Sequence, residues 1–196
     1  MKAFFDALRA GDLLGPTLTQ DEVIGVSAVV NAMDGCRVSW RAYALATAYH
    51  ETAGTMQPIK EYGGAAYFRR LYDIQGNNPP LARRLGNLQP GDGIKFAGRG
   101  YVQLTGRANY AKASEKLGLD LLGEPDLAMR PDIAARVMRL GMVEGWFTGK
   151  KLVDYLPANI GEQRQFTDAR RIINGTDRAA QIAAHAVKFQ AALQAV

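Results

Sequence analysis
The sequence predicts a mainly α protein made of one domain over residues 1–196. Apolar residues recur at the three-to-four-residue spacing of buried helix faces. The runs they form stop at glycine or proline, and no internal repeat, low-complexity tract or linker divides the chain. With 47% apolar residues among 196, there is enough to fill one full core.

The elements follow in order. Phe4, Phe5 and Leu8 mark a short amphipathic helix, and Gly11 to Pro16 a break. Thr19 to Glu22 has capping-box spacing, so a helix should run from about Asp21 to Asp34 with Val23, Ile24, Val26, Val29, Val30 and Met33 on a broad apolar face, ended by Gly35. Ser39 to Thr52 reads as a second helix, too apolar for a free surface element, with Gly54 as its stop. Ala65 to Tyr72 is another. Asp73 to Asp92 holds Gly76, Asn77, Asn78, Pro79, Pro80, Gly86, Pro90 and Gly91, which predicts a long loop of the kind that walls a cleft. Helices are expected over Arg107 to Leu117, from Pro131 to about Phe147, over Phe166 to Ile173 and over Asp177 to Ala195, with Lys150 to Ile160 irregular around Pro157. His185 lies in the last of these, on an amphipathic helix without an acidic neighbour, and is expected to be structural.

Charge and cysteine usage bound the function. Lys and Arg number 24 against 19 Asp and Glu, a net charge of +5 with sequence pI ≈ 9.4, which calls for an anionic partner: nucleic acid, a membrane surface or a wall polymer. The basic pairs Arg69-Arg70, Arg83-Arg84, Lys150-Lys151 and Arg170-Arg171 are scattered, unlike a nucleic-acid arm. Cys36 is the lone cysteine, which leaves no intrachain disulfide and no cysteine-rich metal site, and it is expected to be a buried, inert thiol. Met1 to Gly15 carries Asp6, Arg9 and Asp12 among its apolar residues, unlike a secretory signal, and no window is long enough to span a bilayer. These features predict a cytoplasmic, monomeric product without metal, cofactor or membrane insertion.

Two carboxylates stand close in sequence. Glu51 falls in the last turn of its helix, where the dipole favours cations and Tyr49 and Met56 offer little solvation, a setting expected to raise its pKa. Glu61 follows Pro58 on a segment kept out of helix by Gly63 and Gly64, beside Lys60, and is expected to stay ionised. A protonated carboxyl and an ionised one facing one cleft can break a glycosidic bond; two solvated surface glutamates are the plain alternative, which the pair alone does not exclude. Downstream, in Phe96 to Tyr110, Gly98, Gly100 and Gly106 permit close backbone approach. The segment does not fit a phosphate loop, lacking the third glycine and a leading strand. If it is extended, Gln103 and Thr105 project to one side, and Asn109 sits inside the start of the next helix.

Ala48-Tyr49-His50-Glu51-Thr52-Ala53-Gly54, then Phe96 to Thr105 with Asn109-Tyr110, then Ile172-Ile173-Asn174-Gly175, resemble the successive signatures of glycoside hydrolase family 19, which contains plant and bacterial chitinases and lysozyme-like phage endolysins. The likeness spans about Ser39 to Thr176, and the absence of disulfides and of a signal is closer to the phage and prophage endolysin branch. The resemblance implies a lysozyme-like, two-lobed helical fold with a central cleft and little or no β structure. It implies an inverting hydrolase of peptidoglycan, or of chitin, with Glu51 as general acid, Glu61 as general base and Thr105 holding the water; Asp73 or Asp92 would take the base role should Glu61 not. Gln103 and Asn109 match substrate-binding amides; Tyr101, which could also pack with Val102 and Leu104, and His50, a structural hydrogen-bonding neighbour and not an acid catalyst, stand with them on the substrate-binding side, and Asn174 falls on the base's side of the cleft. The arginine that the family places after Asn-Gly, in electrostatic support of the base, aligns with Gln181, leaving Arg178 or Arg171 as substitutes. The implied partner is a polysaccharide, not nucleic acid, reached after release from the producing cell.

Overall fold
The computed structural model describes residues 1–11 and 13–195. Asp12, one of the charges counted against a secretory signal, and Val196 lie outside the described residues. In chain order the elements are α1 (Lys2–Ala10), α2 (Gln20–Ala32), α3 (Val38–Glu51), β1 (Ile59–Lys60), α4 (Ala65–Tyr72), α5 (Pro79–Arg84), α6 (Asp92–Lys95) and β2 (Arg99–Gly100). They continue with α7 (Arg107–Leu117), a 3-10 turn (Pro125–Met129), α8 (Pro131–Glu144), α9 (Leu152–Tyr155), α10 (Gln163–Ala169), a second 3-10 turn (Arg170–Ile172) and α11 (Ala179–Gln194). β1 and β2 pair antiparallel, Ile59 opposite Gly100 and Lys60 opposite Arg99. The fold is mainly α, as the sequence predicts.

Backbone packing divides the chain into two compact units, Met1–Gln57 with Met138–Val196, and Pro58–Val137. In the first, α3 is the central element. Ala42 to Ala48 are buried on every face of the helix, because α2 and α11 cover it; each large side chain so buried, such as Tyr43 or Leu45, stabilises by roughly 1.5–3 kcal/mol. α11 supplies the expected stripe of Ile182, Ala186, Phe189 and Leu193, all buried. The capping box at α2 is present: the Glu22 amide donates to Thr19 Oγ1 at 3.1 Å and the Thr19 amide to Glu22 Oε2 at 2.7 Å. α2 also needs its glycine, since a Cβ on Gly25 would lie 1.8 Å from the Met56 carbonyl oxygen. Cys36 is half-buried rather than buried, which corrects that expectation: it lies in the turn after α2, outside the packed faces.

In the second unit the predicted loop from Asp73 to Asp92 proves partly helical. Asn78 accepts a hydrogen bond from the Leu81 amide at 3.2 Å and caps α5, with Pro79 and Pro80 in its first turn, where proline's missing N–H is no loss. α9 likewise interrupts the expected irregular stretch after Lys150. Arg99, 4% exposed, organises the glycine-rich segment. Its guanidinium donates to the carbonyls of Lys95 (3.0 Å) and Ala97 (2.9 Å), to Tyr110 Oη (3.1 Å) and to Asp126 (2.6 Å).

Candidate active site
In the second unit, Glu61 leaves β1 with its amide bonded to the Gly98 carbonyl at 2.9 Å. Its carboxylate is held at both oxygens: the Tyr72 hydroxyl donates to Oε1 at 2.8 Å and the Gly98 amide to Oε2 at 3.1 Å. Gln103 and Thr105 reach the same spot. A Cβ built on Gly98 would lie 2.7 Å from Gln103 Oε1, 3.0 Å from Glu61 Oε2 and 3.1 Å from Thr105 Oγ1, so three oxygens converge where only a glycine leaves room. All three are acceptors there. Thr105 spends its proton on the Gln103 carbonyl (2.8 Å), and Gln103 Nε2 donates to the carbonyls of Ile59 (3.2 Å) and Gly100 (3.4 Å). The segment is not extended as supposed: after β2 the chain turns through residues 101–103, with Gln103 at a positive φ of 52°, an unusual conformation for a non-glycine residue. That turn, not strand alternation, brings the two side chains together.

In the first unit, Glu51 ends α3, and the motif after it is a built turn. Thr52 donates its hydroxyl to the Ala48 carbonyl (2.7 Å) and accepts from the Met56 amide (3.0 Å), while the Gly54 amide bonds the Tyr49 carbonyl (2.8 Å). Ala53 and Met56 take left-handed backbone conformations, φ 50° and 55°. The apolar setting expected for Glu51 is corrected. Its Oε1 accepts from Arg170 Nη1 at 2.6 Å, with Arg170 3% exposed and Glu51 23%; Arg170 Nε is fixed in turn by the Asp177 carbonyl at 3.0 Å. Arg170 thus serves Glu51 and not Glu61, the carboxylate for which Gln181, Arg178 and Arg171 were considered. Arg171 is exposed and pairs with Asp168, Arg178 is exposed at the start of α11, and Gln181 lines a pocket with His50.

That pocket, of about 290 Å³, is lined by Tyr49, His50, Ala53, Gly54, Gln181 and His185. Burial holds His50 below the ordinary histidine value; Glu51 opposes this, and Arg170 and Arg178 add to the depression. His185 meets the Tyr49 ring edge-on at 4.8 Å, has no hydrogen-bond partner at Nδ1, and is lowered by burial and then by His50 and Lys188.

The remaining predicted residues divide. Asn109 is half-buried and donates to the Thr105 carbonyl at 2.7 Å, so it braces the residue beside Glu61. Tyr101 is wholly buried, a correction, since a ring with no exposed surface offers a sugar no contact; burial pushes its phenol far up. Asn174 is exposed and its amide bonds the Arg170 carbonyl at 3.0 Å. It belongs to the same compact unit as Glu51. Asp73 and Asp92, the substitute bases, are committed elsewhere: Asp73 accepts the amides of Gly91 (2.7 Å), Gly93 (3.2 Å) and Gln75 (3.2 Å), and Asp92 holds Arg107. Arg170 and Tyr72 were missed. Arg170 repeats the apolar stripe of Phe166 and Ala169 at helical spacing, a charge on a buried face, and that signal would have found it. No three His, Cys, Asp or Glu side chains among the described residues group as a metal site, and no helix among them is long and apolar enough to cross a membrane.

Comparison with known proteins bears on these residues. An "Acidic endochitinase" of Petunia hybrida is 36% identical over 81 residues, 41% of this chain and 25% of that protein. A "Glycosyl hydrolase family 19 domain-containing protein" of Haemophilus influenzae is 44% identical over 61 residues, 30% of each. In both, the match spans less than a third of the relative's own length. The crystal structure of chitinase C from Streptomyces griseus has a similar fold, with a TM-score of 0.60 at 20% identity over 94% of this chain and 74% of that one. The family model described as "Chitinase class I" matches residues 30–148, a span that includes Glu51, Glu61, Gln103 and Thr105; the chain belongs to glycoside hydrolase family 19.

Proposed function
We propose that the chain hydrolyses β-1,4 glycosidic bonds between N-acetylglucosamine-type sugars by an inverting mechanism, with Glu51 as general acid and Glu61 as general base. The observation that carries the proposal is the set of three acceptor oxygens around Gly98. A water held by these oxygens directs one O–H at Glu61 Oε2 and donates the other as a hydrogen bond to Thr105 or Gln103, which leaves a lone pair for the anomeric carbon. As the bond to that carbon forms, Glu61, tied at both oxygens, takes the one proton without moving, and the second stays on the new anomeric hydroxyl. Glu51 acts on the leaving oxygen. As it gives up its proton a negative charge develops on it, and the buried Arg170 guanidinium at 2.6 Å stabilises that charge in place. Inversion needs the two carboxyls about 6.5–9.5 Å apart, enough for a water to reach the far face of the sugar.

For the substrate we propose bacterial peptidoglycan, in the manner of an endolysin acting as a monomer on the wall after release from the cell that makes it. The support is the net charge of +5, which favours an anionic wall over neutral chitin. Chitin is the second reading, favoured by the relatives' names. Mass spectrometry of murein and of chitin oligomers digested in parallel tests both: wild type is expected to leave muropeptides with new reducing ends, and Glu51→Gln and Glu61→Gln none, with circular dichroism unchanged. Cleavage of chitin alone would move the substrate. A folded wild-type protein that binds either glycan and releases no reducing end would make it a binding module and end the hydrolase proposal.

A further inference from the structure
Tyr72 is not part of any motif in the sequence, yet its hydroxyl makes the shortest hydrogen bond to Glu61, 2.8 Å against 3.1 Å from the Gly98 amide. Its placement is over-determined. Tyr72 is the last residue of α4, and the residue after it, Asp73, is 1% exposed and uses its carboxylate to hold the amides of Gly91 and Gly93. Asn87 Nδ2 donates to the Tyr72 carbonyl at 2.9 Å. Gly93 has no Cβ because one would lie 2.6 Å from the Asp73 nitrogen and 2.8 Å from the Tyr72 carbonyl carbon. The ring stacks on Phe68 at 6.4 Å, with 13° between the planes. A helix end clamped this closely aims one hydroxyl at one carboxylate oxygen.

We infer that Tyr72 is a positioning residue for the general base: it fixes the plane of the Glu61 carboxylate so that Oε2 faces the three-oxygen socket, and it donates to the ionised form. This rests on the role proposed for Glu61. Tyr72 takes no part in proton transfer. Burial first, and then the hydrogen bond to Glu61 and its charge, push the phenol far above its ordinary value, so it stays a neutral donor throughout. Without it Oε1 loses its donor, the carboxylate gains freedom to rotate away from the water, and its charged form loses a charge-assisted hydrogen bond.

The test is Tyr72→Phe, which keeps the ring stack and removes only the hydroxyl, assayed by reducing-end release from whichever glycan the wild type cleaves. The expected result is a fall in kcat of about tenfold, the size of a lost hydrogen bond to a charged group, with KM unchanged and the acid limb of the pH–rate profile moved to higher pH. A folded Tyr72→Phe protein with wild-type kcat and an unmoved acid limb would overturn the inference while leaving the hydrolase reading in place. So would a fall in kcat with an unmoved acid limb, because the hydroxyl would then act through something other than Glu61. A wild type that cleaves neither murein nor chitin removes the base role of Glu61, and the inference falls with it.

Discussion

Replacing Gly98 by alanine pushes one methyl group against the three oxygens proposed to hold the attacking water. The new Cβ meets Gln103 Oε1 at 2.7 Å, Glu61 Oε2 at 3.0 Å and Thr105 Oγ1 at 3.1 Å, all short of the 3.4 Å at which ordinary contact begins. Gly98 is not among the glycines with positive φ, so alanine adopts its backbone conformation without strain, and the amide that donates to Glu61 is retained. The structural penalty is therefore that of modest overpacking, about 1–3 kcal/mol, partly offset by the 0.4–1 kcal/mol or so gained by restricting the unfolded chain. The functional penalty is larger, because the three oxygens are pushed apart; loss of general base catalysis alone is worth about a hundredfold to ten-thousandfold. Reducing-end release with purified variant and wild type, alongside thermal melts, should give kcat lowered by about a hundredfold or more with KM little changed and a melting shift of a few degrees. Gly98→Ala with kcat within about twofold of wild type would refute the three-oxygen arrangement, whatever its melting temperature, since a methyl group cannot fit there without displacing those oxygens.

Other outcomes follow from the same structure. Arg170→Ala leaves Glu51 without its cation and removes a guanidinium from a buried site, so it should destabilise by roughly 3–5 kcal/mol in urea unfolding; a loss below about 1 kcal/mol would mean that the pair is not held in solution. Burial raises the pKa of Asp92, but the Arg107 guanidinium and the Gln89 amide outweigh it and hold the carboxyl below its ordinary value. Its contribution is thus complete above the unfolded value near 3.9 and is lost as pH falls through the folded one, and the stability gap between wild type and Asp92→Asn should close on acidification; a gap independent of pH would contradict this. For His50 and His185, both lowered, the unfolded chain binds more protons than the folded one, so unfolding free energy should rise with pH between about 5 and 7. His185→Gln should flatten that slope, and a slope of opposite sign would exclude the pocket's effect.

Much of the fold was legible because helix boundaries here are written in local chemistry. Thr19 and Glu22 announce α2, and the apolar stripe of Ile182, Ala186, Phe189 and Leu193 announces α11; both form as expected. The misreadings came where one residue type has two uses. Pro79 and Pro80 were read as loop formers and instead begin α5, since proline breaks a helix only beyond its first turn. In the site, Glu61, Gln103 and Thr105 were identified individually, and their meeting around Gly98 depends on the left-handed turn at Gln103 and on the Arg99 hydrogen bonds, neither of which has a signature in the local sequence. Tyr101 was placed on the substrate-binding side through the resemblance, whereas it is buried together with its neighbours Val102 and Leu104. Arg170 and Tyr72 lie 119 and 11 residues from the carboxylates they hold, separations that no local pattern reports.

The stereochemistry of the first product tests the central claim most directly. Proton NMR during the first turnovers on a β-linked N-acetylglucosamine oligomer, or on soluble murein glycan, reads the new reducing end before it mutarotates. If Glu61 activates a water beside Gly98, the α-anomer appears first; the β-anomer first would mean a double displacement, through a protein carboxylate or the sugar's own acetamido group, which contradicts the account.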